Sequence, residues 1–126
     1  MRKINSDRIL LVDDEQELAQ AMQIRLSSWG YDVSVANNGK EAINLLEKEV
    51  FEAVILDMMM PEMDGMETLK HIRSFNKTIK IIMLTAYGEE ERFKKIKELN
   101  IAGFVYKGRE FESVSELVHV ALKGQK

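Results

Sequence analysis

Residues 9–15 read Ile9-Leu10-Leu11-Val12-Asp13-Asp14-Glu15, four aliphatic side chains followed directly by three carboxylates. A run of four with no alternation, closed by acids, is too short for a buried helix and suits a strand covered on both faces. Four further runs follow: Val33–Ala36, Ala53–Leu56, Ile79–Leu84 (interrupted by Lys80) and Gly103–Tyr106, with starts about 20 to 26 residues apart. Each gap carries helical spacing. Leu18, Met22, Leu26 and Trp29 fill the first, Ala42, Leu45, Leu46 and Val50 the second, Met66, Leu69, Ile72 and Phe75 the third, and Phe93, Ile96 and Leu99 the fourth. After the fifth run, Val114, Leu117, Val118, Ala121 and Leu122 form a full apolar stripe. Strand-sized runs alternating with helices imply an α/β fold of five βα units with a parallel, doubly wound sheet.

The punctuation agrees. Asp32-Val33-Ser34-Val35-Ala36 alternates and suits an edge strand, Gly30 reads as the residue that ends helix one, and Asn37-Asn38-Gly39 reads as a turn and N-cap before helix two. Pro61 and Asp64-Gly65 break the chain before helix three. No linker, repeat or low-complexity segment interrupts the 126 residues, so a single domain is expected over 1–126, with a core from about residue 7 to 122 and no second domain in this chain.

Composition narrows the chemistry. There is no cysteine, which excludes disulfides and thiolate metal sites. Eighteen basic residues against 21 acidic ones argue against direct nucleic-acid binding. No apolar run is long enough to span a membrane, and no apolar stretch follows the basic residues of the N-terminus, so a soluble, cytoplasmic domain is expected. Neither G-x-G-x-x-G nor G-x-x-x-x-G-K-[ST] occurs, so dinucleotides and nucleoside triphosphates lack their phosphate cradles.

The strand ends carry the signal. Strand one runs into Asp13-Asp14, strand three into Asp57, strand four ends at Thr85 and strand five runs into Lys107. In a parallel sheet these ends share one edge, and right-handed crossovers make strand one central, beside the crevice where open α/β sheets bind ligands. Three carboxylates, a hydroxyl and an ammonium therefore converge. A pair of carboxylates about 4 Å apart costs on the order of 4 kcal/mol at an effective dielectric near 20, which a proton or a cation must offset. Oxygen donors without His or Cys select a hard cation, Mg²⁺ first, with Mn²⁺ or Ca²⁺ able to substitute. Such a cation with a lysine and a hydroxyl can gather a phosphoryl group, and a carboxylate can then take it as an acyl phosphate.

These residues carry a resemblance. Ile9–Glu15, Ala36-Asn37-Asn38-Gly39-Lys40-Glu41-Ala42, Asp57-Met58-Met59-Met60-Pro61-Glu62-Met63-Asp64-Gly65, Thr85-Ala86 and Phe104-Val105-Tyr106-Lys107 occur in the order and spacing of the receiver domains of two-component response regulators, over nearly the whole chain. The resemblance implies a flavodoxin-like (βα)5 fold with strand order 2-1-3-4-5. It implies that Asp57 accepts a phosphoryl group from a sensor histidine kinase or a phosphotransfer protein. Asp14 would bind Mg²⁺ directly, Asp13 largely through water, and the backbone carbonyl of Met59 and the Asp57 carboxylate would complete the protein ligands. Lys107 would pair with Asp57 and then with the phosphoryl oxygen, Thr85 would hydrogen-bond that group, and Phe104 would be the aromatic switch. The face formed by the fourth helix, fifth strand and fifth helix would address a downstream output domain or protein, or a second copy in a homodimer. The resemblance implies a domain that would catalyse its own phosphoryl transfer and slow self-dephosphorylation but act mainly as a signalling switch.

Two departures from the family pattern set further expectations. Gly108 stands where receivers usually carry proline, so a trans Lys107–Gly108 bond, a looser loop and weaker coupling to the fifth helix are expected. Met59 and Tyr87 offer no acid or amide to orient a water, so self-dephosphorylation is expected to be slow, nearer hours than seconds. The competing reading is a pseudo-receiver that binds a partner without phosphorylation. The methionines of Met58–Met66 read as flexible packing, and His71 and His119 as surface or boundary side chains.

Overall fold

The computed structural model describes residues 7–58, 60, 63–85 and 99–106, with Thr85 and residues 104–106 described as backbone. In chain order the elements are β1 (Arg8–Val12), α1 (Gln16–Ser28), β2 (Asp32–Ala36), α2 (Gly39–Lys48), β3 (Ala53–Asp57), α3 (Gly65–Phe75), β4 (Lys80–Thr85) and β5 (Gly103–Tyr106). All pairings are parallel, in the order β2-β1-β3-β4-β5, which is the flavodoxin-like arrangement. The alternating strand β2 is at the edge and β1 lies between β2 and β3, as the patterning implied. Among the described residues, no helix is long and apolar enough to cross a membrane.

The period of two along a strand divides the core into two layers. Leu10, Val12, Val54, Leu56, Ile81 and Met83 face α2 and α3. Ile9, Leu11, Ala53, Ile55, Ile82 and Leu84 face α1 with Ala19, Met22 and Leu26. Every residue of β3 is buried, so truncating Ile55 or Leu56 to alanine is expected to cost about 2–5 kcal/mol. Met58, Met60 and Met66 lie in the α2/α3 layer with Met63 packed partly against it, which matches the reading as packing.

Local chemistry sets the helix ends. Gly30, at φ 98, takes the left-handed conformation after α1 and donates to the Ser27 carbonyl. Asn38 caps α2 by accepting from the Glu41 N–H at 2.8 Å, while the Glu41 carboxylate accepts from the Asn37 N–H at 2.7 Å. Asp64 caps α3, accepting from the Glu67 N–H at 3.0 Å. Gly39 and Gly65 are thus the first residues of helices and not breakers.

Several expected core positions face outward. Trp29, Val50 and Phe75 are exposed, and Leu18 is half-buried. Ala19 takes the inward place beside Met22 and Leu26 in α1, and α2 ends at Lys48, before Val50. The expected fourth and fifth helices, His119, and the Lys107–Gly108 bond lie outside the described residues.

Candidate functional site

The site is built at the C-terminal ends of β1 and β3. The Asp13 N–H donates to the Ala36 carbonyl at 3.1 Å, extending the β1–β2 ladder by one bond. That bond holds Asp13 as the first residue beyond the strand. Its carboxylate turns back to accept from the Glu15 N–H at 2.9 Å, just before α1 begins. Asp13 is fully buried and Asp14 is exposed. The two neighbours therefore present one carboxylate from within the protein and one from the solvent side.

Asp57 is the last residue of β3 and not the first beyond it; it pairs in register with Leu84 and is fully buried. The ladder continues past it, with the Met58 N–H donating to the Leu84 carbonyl at 2.9 Å. From the other side, the Gly65 N–H donates to the Met58 carbonyl at 2.9 Å. The first turn of α3 is thereby laid directly on the Asp57–Met58 peptide. A β-carbon at Gly65 would meet the Asp57 carbonyl oxygen and come within 2.5 Å of the Met58 α-carbon. The glycine is required by this close approach, which sequence reading missed because Asp64-Gly65 looks like an ordinary turn.

One carboxylate oxygen from each of Asp13, Asp14 and Asp57 lies within 4.8 Å of the others. Oxygens on opposite sides of one Mg²⁺ are about 4.2 Å apart, and those of Ca²⁺ about 5 Å, so the cluster fits a hard divalent cation with little adjustment. The donor chemistry fits as well: three anionic oxygens, no nitrogen or sulfur, and one solvent-facing side through Asp14.

The remaining expected site residues are placed only as far as the backbone allows. Thr85 closes β4 opposite Tyr106, the residue before Lys107. Phe104 is in β5, opposite Met83. The side chains of Thr85 and Phe104, and all of Met59, Tyr87, Lys107 and Gly108, lie outside the described residues. What the described residues bring together is the acidic triad.

Comparison with known proteins adds three findings. Residues 9–119 match the family described as response regulator receiver domain. The transcriptional regulatory protein ZraR of Klebsiella oxytoca is 35% identical over 114 residues, covering 90% of this chain and 26% of that protein. This chain therefore spans about a quarter of the length of that regulator. Among solved structures, chemotaxis protein CheY4 of Vibrio cholerae superposes with a TM-score of 0.87 at 30% identity, covering 94% of this chain and 100% of that one. Response regulator TrrA of Thermotoga maritima, solved in complex with Mg²⁺–BeF, gives 0.83 at 34% identity, covering 92% and 99%.

Proposed function

This chain belongs to the response regulator receiver domain family, and on that premise we propose that Asp57 accepts a phosphoryl group from a phosphohistidine of a sensor kinase or phosphotransfer protein. The observation that carries the proposal is the meeting of the Asp13, Asp14 and Asp57 oxygens within 4.8 Å at the ends of two adjacent central strands. A carboxylate oxygen of Asp57 forms the new O–P bond as the donor N–P bond breaks, and the donor imidazole keeps that electron pair. Bound Mg²⁺, or Mn²⁺ in its place, would offset most of the triad's repulsion and draw in a phosphoryl oxygen. Asp13, Asp14 and Asp57, with the Met59 carbonyl, are the proposed ligands.

Lys107 is proposed to hold the transferred group by charge and Thr85 by its hydroxyl, with Phe104 reporting the change toward the output face. The new group brings about −1.5 to −2 charges and three acceptor oxygens, enough to reorder neighbouring loops. Residues 1–126 are proposed to act as one receiver unit in the cytoplasm. Its proposed partners are the phosphodonor protein, a downstream output domain or protein and, through the output face, a second copy.

The test is incubation with acetyl phosphate and Mg²⁺, followed by intact-mass measurement. The unmodified protein is expected to gain one phosphoryl mass and the Asp57→Asn variant none. No gain in the unmodified protein would favour a pseudo-receiver that binds its partner without phosphorylation.

A further inference from the structure

The end of the sheet opposite the acidic triad holds a buried guanidinium. Arg73, near the C-terminus of α3, is 8% exposed. Its Nε donates to the Leu99 carbonyl at 2.8 Å, one terminal nitrogen donates to the Asn100 carbonyl at 2.7 Å and the other to the Asn76 carbonyl at 3.1 Å. Among the described residues, no carboxylate lies within ion-pairing distance of it. Burial pushes its pKa below the ordinary arginine value. A buried cation whose partners among the described residues are carbonyl dipoles is unusual. The planar fork is nevertheless suited to it, because its donors diverge toward carbonyls of separate segments.

Those segments have different duties. Asn76 ends α3, and its side chain accepts from the N–H groups of Thr78 and Ile79 at 3.1 and 3.0 Å, shaping the turn into β4. The Lys77 ammonium donates to the Arg73 carbonyl at 3.0 Å, closing the same turn. Leu99 and Asn100 lead into β5, and Asn100 takes a left-handed φ of 61. The Ala102 N–H then makes the first bond to β4, donating to the Ile81 carbonyl at 2.7 Å. Strand β5 has four residues and ends the order of the sheet, so few ladder bonds set its register. A slip by one residue would turn every side chain of β5 to the opposite face.

We propose that Arg73 is a positioning residue that pins the register of β5. By gripping the two carbonyls that precede the ladder, it fixes which residue of β5 stands beside Thr85, and so where the chain delivers Lys107. The pin itself stands on the hydrogen bonds above; its consequence for Lys107 rests on the phosphoryl-transfer reading.

Amide hydrogen exchange on the full chain tests it, comparing Arg73→Met and Arg73→Lys with the parent. In Arg73→Met, the amides of Phe104 and Tyr106, which alternate in step with that of Ala102 toward β4, are expected to exchange at least about tenfold faster, with those of Leu11 and Ile55 within about twofold of the parent. Arg73→Lys, whose ammonium can serve one carbonyl at a time, is expected to fall between. The rate of phosphoryl uptake from acetyl phosphate should drop in the same order while Mg²⁺ affinity, set on β1 and β3, is unchanged. Equal acceleration at all these amides would mean that Arg73 only stabilises the fold, and would overturn the pin; unchanged β5 amides would also overturn it. If the parent takes up no phosphoryl group, the proposed function fails, and the exchange pattern still decides the pin. If β5 loosens while the uptake rate is retained, the consequence for Lys107 is overturned.

Discussion

The α-carbon of Gly65 rests against the peptide that joins Asp57 to Met58, with the Gly65 N–H bonded to the Met58 carbonyl at 2.9 Å. Helix α3 therefore begins on the backbone of the proposed acceptor. Substitution Gly65→Ala forces a methyl group into backbone atoms that cannot rotate away. The overpacking is expected to cost about 3 kcal/mol, against about 1 kcal/mol gained from alanine's helix propensity, a net loss of about 2 kcal/mol. Urea denaturation measures the loss. Uptake from acetyl phosphate should fall together with it, because the Asp57 peptide is what moves.

With Mg²⁺ in the proposed site, stability is expected to depend on divalent ions. At ten times its dissociation constant, Mg²⁺ is expected to stabilise the folded chain by about 1.4 kcal/mol. For a domain of this size that corresponds to a rise in Tm of roughly 4–6 °C. Scanning calorimetry with Mg²⁺ and with chelator reads it directly. Asp13→Asn should lose most of the shift and, in chelator, melt no lower than the parent, since one like charge has gone.

Alkaline pH should expose a second dependence, at Tyr31. Burial, and after it the charge of Asp7, hold the Tyr31 phenol above its ordinary value of 10.0. A raised folded-state pKa contributes stability that is complete below the unfolded value and is lost as pH rises through the folded one. The parent should therefore weaken from about pH 10 upward, and Tyr31→Phe should weaken less over the same range. Urea midpoints at pH 9 and pH 11 make the comparison; parallel losses would refute it.

At the start of α2, Asn38→Ala removes the acceptor for the Glu41 N–H. The expected cost is about 1 kcal/mol, and Asn38→Asp, which keeps the acceptor, should cost much less. Thermal melts of the two variants separate the lost cap from a general effect of substitution.

The fold was legible because its signal is redundant. Unbroken aliphatic runs at Ile9–Val12 and Ala53–Leu56 mark strands buried on both sides, and the alternation in β2 marks the edge. The triad was legible for the same reason, since acids immediately after central strands must meet at one edge. What escaped reading was contact without period. A small residue, Ala19, displaced Leu18 from the inner face of α1, and Phe75 turned out at the last turn of α3. Gly65 and Arg73 are single residues whose partners are distant backbone atoms, and no spacing rule announces them.

The division of the core into two layers has a consequence for how such a domain can change over time. Strands β1 and β3, which bring Asp13 and Asp57 to the triad, are covered on both faces by buried apolar side chains. Outer positions such as Ile24, 69% exposed on α1, lie outside that packed interior. Substitutions there can alter which molecules the domain meets without disturbing the spacing of its acids. Recognition and chemistry can thus be inherited, and revised, independently.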